Sequence, residues 1–557
     1  MSETAEPLAA REPSAKCVAE AEPGLLRGFE LLATARDGIS RLRELIAMLA
    51  VRGMVDKPRS APADCAPSDW ATGTLGDVVT DSEAGWSPSC DSGPRSGDAW
   101  GVLKVSAVSW GEFRNDENKR LPSHLVPRPA LEAKEGDFLL SRANTAELVA
   151  RSVVAFKVQA RLMLSDKIIR LRFSQQADPR FFNIVNNAPD ARAYYARSAS
   201  GTSSSMKNVS RAVVLALPVP IPPLAEQHRI VARVEELMKL CDALERSGRL
   251  ADEQHARLAS TLFDALAASE SAHALGENWQ RVAEHLDLLL DRPEAVDSFE
   301  QTIVQLAVRG LLAQQDHKED SGSALLVRFQ QAGSESGKRT KAELAPLGLD
   351  DIPFSTPELW AWTRLGDVVD VTGGVTLGRK GALANPLTLP YLRVANVQRG
   401  HLNLATEVKS VSIDAAELSR FQLKVGDLLI TEGGDWDKVG RTCIWRNEIP
   451  TCLHQNHIFR ARGRTAEWSP EWGQLYLNSA DAKAYFASSA KQTTNLASIN
   501  MTQLRHCALP LPPLAEQLRI VARVEELRQL CANLRRRLTQ AQEVQSSLAD
   551  TLVAEVA

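Results

Sequence analysis

The sequence contains no apolar run of eighteen residues, so no segment of it suits a membrane-spanning helix. Its first residues, MSETAEPLAAREPSAKC, lack the basic-then-apolar order of a signal peptide. Eight cysteines are scattered without a Cys-x-x-Cys pair, so neither a zinc site nor a disulfide framework is signalled and a reducing cytoplasm is expected. There is no basic excess either. Lys and Arg number 65 against 69 Asp and Glu, for a net charge of −4, which argues against a protein that coats nucleic acid by charge alone. Enzymatic signatures are missing too: no Gly-rich cofactor loop after a strand, no Asp/Asn-Pro-Pro-Tyr/Phe motif, and no phosphate-binding G-x-x-x-x-G-K-[ST]. Glu132-Ala-Lys134 resembles the tail of a nuclease motif but has no second acidic motif at a convincing distance. His454 and His457 stand three apart with no nearby third ligand, so no metal is expected. No helix-turn-helix is visible.

What the sequence does contain is a repeat. Residues 222–237, PPLAEQHRIVARVEEL, recur at 512–527 as PPLAEQLRIVARVEEL, identical at fifteen of sixteen positions and 290 residues apart. The same offset relates LGDVV at 75–79 to 365–369 and GDFLL at 136–140 to GDLLI at 426–430. DARAYYARSA at 190–199 matches DAKAYFASSA at 481–490. LAVRG occurs at 49–53 and 306–310, an offset of 257. A unit this long is a tandem duplication, not a solenoid. A chain of 557 residues also exceeds a single core.

The repeated helices carry readable signals. Pro222-Pro223 and Pro512-Pro513 sit at helix entries, where a missing N–H costs nothing, and Glu226 and Glu516 place negative charge in the first turn. Ile230, Val234, Leu237, Cys241 and Leu244 follow at alternating spacings of four and three, as do Ile520, Val524, Leu527, Cys531, Leu534 and Leu538. That is a coiled-coil seam. Matching stripes run through Ile39, Leu42, Ile46, Leu49 and through Val296, Phe299, Ile303, Leu306. The simplest arrangement pairs 226–268 with 296–315 as an antiparallel hairpin, and the C-terminal helix 515–555 with an N-terminal helix 24–55.

Between the helices lie two blocks of about 150 residues with short β-like runs and Gly/Pro punctuation. GVLKVSAVSW (101–110), VVAFKV (153–158), LPYLRVANV (389–397) and DLLIT (427–431) read as strands. Residues 70–221 carry roughly +4 and 358–510 roughly +3, leaving about −11 elsewhere. The expected architecture is α+β: two globular α/β blocks joined by long antiparallel coiled-coil helices in a pseudo-two-fold, internally duplicated arrangement. The expected divisions are a tail and helix at 1–57, a block at 58–225, a helical region at 226–345, a second block at 346–514 and a last helix at 515–557.

Aligned with each other, the blocks keep their backbone pattern while polar side chains change type. LKVSAVSWG (103–111) faces LRVANVQRG (392–400), and SRANTAELVARS (141–152) faces TEGGDWDKVGRT (431–442). Two copies of one reader aimed at different sequences have this look, since base edges are read by Arg, Asn, Gln and acidic side chains. The candidate DNA contacts in the first block are Lys104, Ser106, Ser109, Trp110, Arg142, Asn144 and Arg151. In the second they are Arg393, Asn396, Gln398, Arg399, Glu432, Asp435, Lys438 and Arg441. Two loops rich in hydroxyls and amides add Thr202, Ser204 and Lys207, and Lys491, Gln492 and Thr493. Candidate helix-seam contacts are Ile230, Val234, Leu237, Ile520, Val524 and Leu527.

The doubled L-P-x-P-P-L-A-E-Q-x-R-I-V entries, W-x-x-L-G-D-V at the block starts (Trp70 and Trp362 regions), LKVSAVSWGEF, GDFLLSRANTAELV and YLRVANVQRG resemble the specificity-subunit family of type I restriction–modification systems, over essentially 25–555. Thr72 stands where the second copy has Trp362. The resemblance implies a non-catalytic cytoplasmic reader of a split double-stranded DNA site. It also implies two docked methyltransferase subunits that bind S-adenosylmethionine, and motor-nuclease subunits that use ATP and Mg2+. The chain itself would hold no cofactor. A free-standing DNA-binding regulator and a self-sufficient restriction enzyme or methyltransferase are the rival classes; the missing motifs weigh against both.

Overall fold

The computed structural model describes residues 32–55, 70–203, 206–335, 344, 347–378, 383–434, 438–493 and 496–556. The chain forms two compact units, 1–252 with 541–557, and 253–540. Both mix helices with short strands, an α+β class.

In the first unit a four-stranded antiparallel sheet runs in the order Val79–Ala84, Ile168–Phe173, Phe138–Ser141, Ser152–Val154. Alongside it, Gly101–Leu103 pairs antiparallel with Asn118–Arg120 and parallel with Leu162–Met163. The helices Pro179–Asn187 and Pro189–Ser198 supply Phe181, Phe182 and Tyr195 to a core with Phe138, Leu140, Ile169 and Leu171. The first helix starts where it does because the Asp178 carboxylate accepts the Arg180 N–H and Pro179 presets the first turn. The second unit repeats the plan: Val369–Gly373, Ile458–Gly463, Leu428–Thr431, Thr442–Ile444 in one sheet, and Lys409–Asp414, Pro386–Leu392, Leu453–His454 in the other. The turn into the repeated GDFLL and GDLLI strands has φ of 83° at Gly136 and 87° at Gly426, a conformation that favours glycine.

Each unit closes its block with one strand pair before the long helix. Ala71–Thr74 lies on Pro218–Ile221, and Ala361–Arg364 on Ala508–Leu511. At the first pair Trp70 donates its indole N–H to Glu226 (3.0 Å). Trp360 stands 290 residues after Trp70 and Glu516 290 after Glu226, so the shared block-start pattern is W-x-x-x-x-L-G-D-V. That corrects the shorter spacing read from the sequence. Thr72 and Trp362 are simply equivalent strand positions, opposite Pro220 and Pro510.

The helices run Gly38–Val51, Leu224–Ala267, Pro293–Val308 and Leu514–Val556. Their partners differ from the expected ones. Within the first unit Ile230, Val231, Val234 and Cys241 pack with Ile46 and Ala50, and Leu237 joins from the margin. Within the second, Ile520, Val524, Cys531 and marginally Leu527 share a core with Val296, Ile303 and Ala307. Each seam thus uses the short helix of its own half. Only the far ends follow the expected pairing. Phe263 meets Phe299 at 5.3 Å, and Ala549 with Val553 meets Leu32, Ala35 and Leu42. Apolar periodicity announces that a stripe needs a partner; the two seams are nearly identical and cannot choose between partners.

Charge can choose. Arg43 contacts Asp242 and Glu245, both at 2.7 Å. In the second unit Glu300 contacts Arg528 at 3.3 Å and Arg535 at 2.9 Å. Glu300 follows Arg43 by 257 residues and Arg535 follows Glu245 by 290, so one ion pair recurs with its signs exchanged. A short helix seated on the other half's seam would set Arg43 against Arg535 and Glu300 against Glu245. We expect Arg43→Glu to lower stability by about 1 kcal/mol and Glu245→Arg on that background to recover part of it. Urea midpoints of the single and double variants check this; a double variant no better than Arg43→Glu contradicts it.

Candidate nucleic-acid interface

The segments singled out in the first block converge. Its Gly101–Leu103 strand ends early and passes into a tight turn, Val105–Val108. After Ser141 the chain leaves the main sheet as Ala143–Asn144 and pairs with Met206–Asn208, itself hairpinned to Ser200–Ser203. Asn144 lies opposite Lys207 and donates to the Ser109 hydroxyl at 2.9 Å, tying the turn to the hairpin. Ser109 is buried and spends its own proton on the Val105 carbonyl, so it frames the site and does not face a ligand, contrary to the expectation. Trp110, 55% exposed, stands beside it with the Arg114 guanidinium 6.0 Å from its ring centre. Arg142 is exposed. Lys104 and Ser106 both contact Glu117, at 3.3 and 2.7 Å, and these bonds, Ser106 first, hold Glu117 below the usual carboxylate range. Lys207 donates to the Gly201 carbonyl at 2.7 Å.

The second block assembles the same three segments from different residues. Gly433–Gly434 pairs with Leu496–Ser498, which hairpins to Lys491–Thr493. Glu432 is bonded to His457 at 2.6 Å, and its carbonyl accepts the Ile499 N–H. Gln398 accepts from Arg441 at 2.6 Å and donates to the Ala395 carbonyl. Arg393 donates to the Glu407 carbonyl. Lys491 is exposed, and Lys438, half-buried, follows the loop, its carbonyl accepting from Thr431. Thr202, Gln492 and Thr493 lie in the hairpin strands. Ser204 and Asp435 lie outside the described residues.

Several candidates belong to the frame. Asn396 is fully buried, and its amide is consumed by the Arg393 N–H and the Asn403 and Thr406 carbonyls, which fix the turn. Arg441 is buried against Gln398. Arg151 is half-buried, its guanidinium disfavoured by burial and influenced by Glu44 on Gly38–Val51. Arg399 turns from the hairpin side toward Asn478 (3.4 Å). A single sequence gives residue type and order; burial of a polar group in a turn leaves no mark there. His457 entered the sequence reading only as half of a metal-type spacing. Grouped by spacing with His454, it stands apart from it: His454 is fully buried, whereas His457 is exposed beside Glu432.

Residues 357–543 match the family model described as "Type I restriction modification DNA specificity domain". The chain is 31% identical over 360 residues to the Type I restriction enzyme EcoEI specificity subunit of Escherichia coli, covering 63% of this chain and 60% of that protein. It is 31% identical over 358 residues to the EcoAI specificity subunit of Escherichia coli, with the same coverage of 63% and 60%. The chain therefore spans about 60% of the length of these relatives. A chain solved in work on complex assembly and conformational transition of the type I R-M system aligns with a TM-score of 0.47 and 18% identity, over 88% of this chain and 98% of that one.

Proposed function

We propose that this chain is a type I restriction–modification specificity subunit, the non-catalytic reader of a bipartite DNA site with one half-site to each recognition block; the family match at 357–543 and the 31% identity to the EcoEI specificity subunit support this reading. The observation that carries this reading is the repeated convergence of a turn, a sheet-leaving loop and a hairpin, with the backbone plan kept and the polar side chains exchanged. Trp110, Arg142 and Lys207 present one chemistry, and Glu432, His457 and Lys491 another. Arg and amide groups suit base acceptors, whereas a carboxylate suits a cytosine amino group.

The partners are two methyltransferase subunits that bind S-adenosylmethionine and methylate an extruded adenine. Through them come motor-nuclease subunits that use ATP and Mg2+. Leu240 and Leu530, 56% and 59% exposed, occupy equivalent positions 290 residues apart, as do Leu258 and Leu548. Exposed leucines that recur at equivalent positions suit two copies of one partner.

Inserting residues within 240–300 is expected to change the unread gap and leave both half-sites as they are. Methylome sequencing of cells expressing the inserted chain with its methyltransferase reads this directly. An unchanged gap, or an altered half-site, counts against the proposal.

A further inference from the structure

Two neighbouring positions at the end of each main sheet share one backbone and carry opposite chemistry. The last registered pair of the central strands is Ser141 with Ile168 in the first unit and Thr431 with Ile458 in the second. One step further the Arg142 N–H donates to the Lys167 carbonyl at 2.7 Å, and the Glu432 N–H to the His457 carbonyl at 3.0 Å. The carbonyls of Arg142 and Glu432 accept in turn from Val209 and Ile499, at 3.0 and 2.9 Å, at the root of the hairpin. Lys167 and His457 stand in tight turns that Ile168 and Ile458 close by donating to the Ser165 and Gln455 carbonyls. Each of these residues recurs at an offset of 290.

Side chains that hold this backbone keep their chemistry in both copies. Ser141 and Thr431 each donate a hydroxyl across the loop, to the Leu148 and Lys438 carbonyls, both at 2.7 Å. The other flank is isoleucine in both, Ile168 and Ile458. The two positions between these flanks change sign. Arg142 and Lys167 are exposed cations with no side-chain partner among the described residues. Glu432 is a carboxylate whose Oε2 lies 2.6 Å from Nδ1 of the exposed His457 ring. An ionised carboxylate only accepts, so the ring donates, and the second oxygen of Glu432 has no partner among the described residues. One backbone tolerates both pairs, so what each half binds, not local structure, sets the residue type.

We propose that each pair reads one base pair of its half-site: Arg142 with Lys167 takes the acceptors of a guanine, and Glu432, positioned by His457, takes the amino group of a cytosine. The inference rests on the reading of the chain as a DNA reader; it brings Lys167 into the interface and assigns one base in each half. In the major groove guanine offers two acceptors, O6 and N7, which suit two neighbouring donors. Cytosine offers its N4 amino group, which suits a free carboxylate oxygen. A phosphate would suit the first pair but not the second, since the carboxylate would repel it.

The test uses the chain assembled with its methyltransferase subunits. The methylated motif is sequenced in cells, and binding is titrated by fluorescence anisotropy with the cognate duplex and with duplexes changed at one base pair. Wild type is expected to prefer cytosine at one position of the second half-site by about 5- to 150-fold. Glu432→Gln loses that preference or shifts it to adenine, whose N6 and N7 an amide pairs with, and leaves the first half-site as it was. Arg142→Gln does the same at one guanine of the first half-site. His457→Ala weakens the preference at the same cytosine and nowhere else, and His457→Gln, which keeps a donor, retains it; a merely structural role would weaken every duplex alike. An assembled Glu432→Gln complex that keeps the wild-type motif, or changes it at a base other than cytosine, overturns the proposal. So does an Arg142→Gln complex that binds all duplexes equally more weakly, which marks a phosphate contact. A wild-type complex with no sequence-dependent methylation would instead sink the reader assignment itself.

Discussion

Replacing Arg170 with methionine is expected to cost the first unit about 3–5 kcal/mol and with it one half of the recognised site. Arg170 is only 1% exposed on the Ile168–Phe173 strand. Its guanidinium reaches Glu83 (2.6 Å), Asp137 (2.9 Å) and the carbonyls of Ala130 (2.8 Å) and Glu132 (2.7 Å). Burial alone would disfavour the charge; the hydrogen bonds and charges of Asp137 and Glu83 outweigh it and raise the pKa above the ordinary arginine value. Methionine fills the space but takes the guanidinium from two carboxylates and two carbonyls, leaving Asp137 with the Lys134 N–H (2.8 Å) and Glu83 with Arg172 (3.2 Å), and a buried carboxylate that loses its cation is the costly case. The second unit divides the same work. Arg460 takes the Arg420 and Gln422 carbonyls, while Arg462 takes Asp427 at 2.6 and 2.7 Å. Arg460→Met strands no carboxylate and should cost less. Calorimetry of the two variants checks the order; equal losses contradict this account of Arg170.

Acidification is expected to destabilise the second unit through His454, by about 1.4 kcal/mol per pH unit below about 6.5. The ring is fully buried, its Nδ1 3.2 Å from the Phe421 carbonyl. Burial, then the charge of Arg460, lowers its pKa to about 3. The sign follows. Above about pH 6.5 the imidazole is neutral in both states and contributes no pH dependence. As pH falls toward 3 the unfolded chain takes up a proton that the folded chain refuses, so stability drops across that window. Urea midpoints at about pH 7 and pH 5 differ through other groups as well, so the quantity to read is the difference between wild type and His454→Gln. A variant with the same pH dependence as wild type shows that His454 titrates freely.

Much of the plan was legible because duplication writes it twice. The PPLAEQ entries, the LGDVV and GDFLL/GDLLI segments and the LAVRG helices gave element order, and equal spacing located the two blocks. Helix pairing was not legible, since Ile230, Val234 and Cys241 repeat as Ile520, Val524 and Cys531 and either short helix fits either seam by shape. The reversed charges at Arg43/Glu245 and Glu300/Arg535 were in the sequence, but they gain meaning only once the helices are in register. GVLKVSAVSW read as one strand because its apolar residues alternate, whereas its chain turns after Leu103. At the interface, segment choice was legible and side-chain role was not. Asn396 and Ser109 look like readers by type and are spent on local carbonyls.

The measurement closest to the central claim is single-molecule methylome sequencing of cells that express the partner methyltransferase, with and without this chain. The account predicts a split N6-methyladenine motif that appears only with the chain. Absence of any chain-dependent motif, with both proteins soluble and assembled, would contradict it.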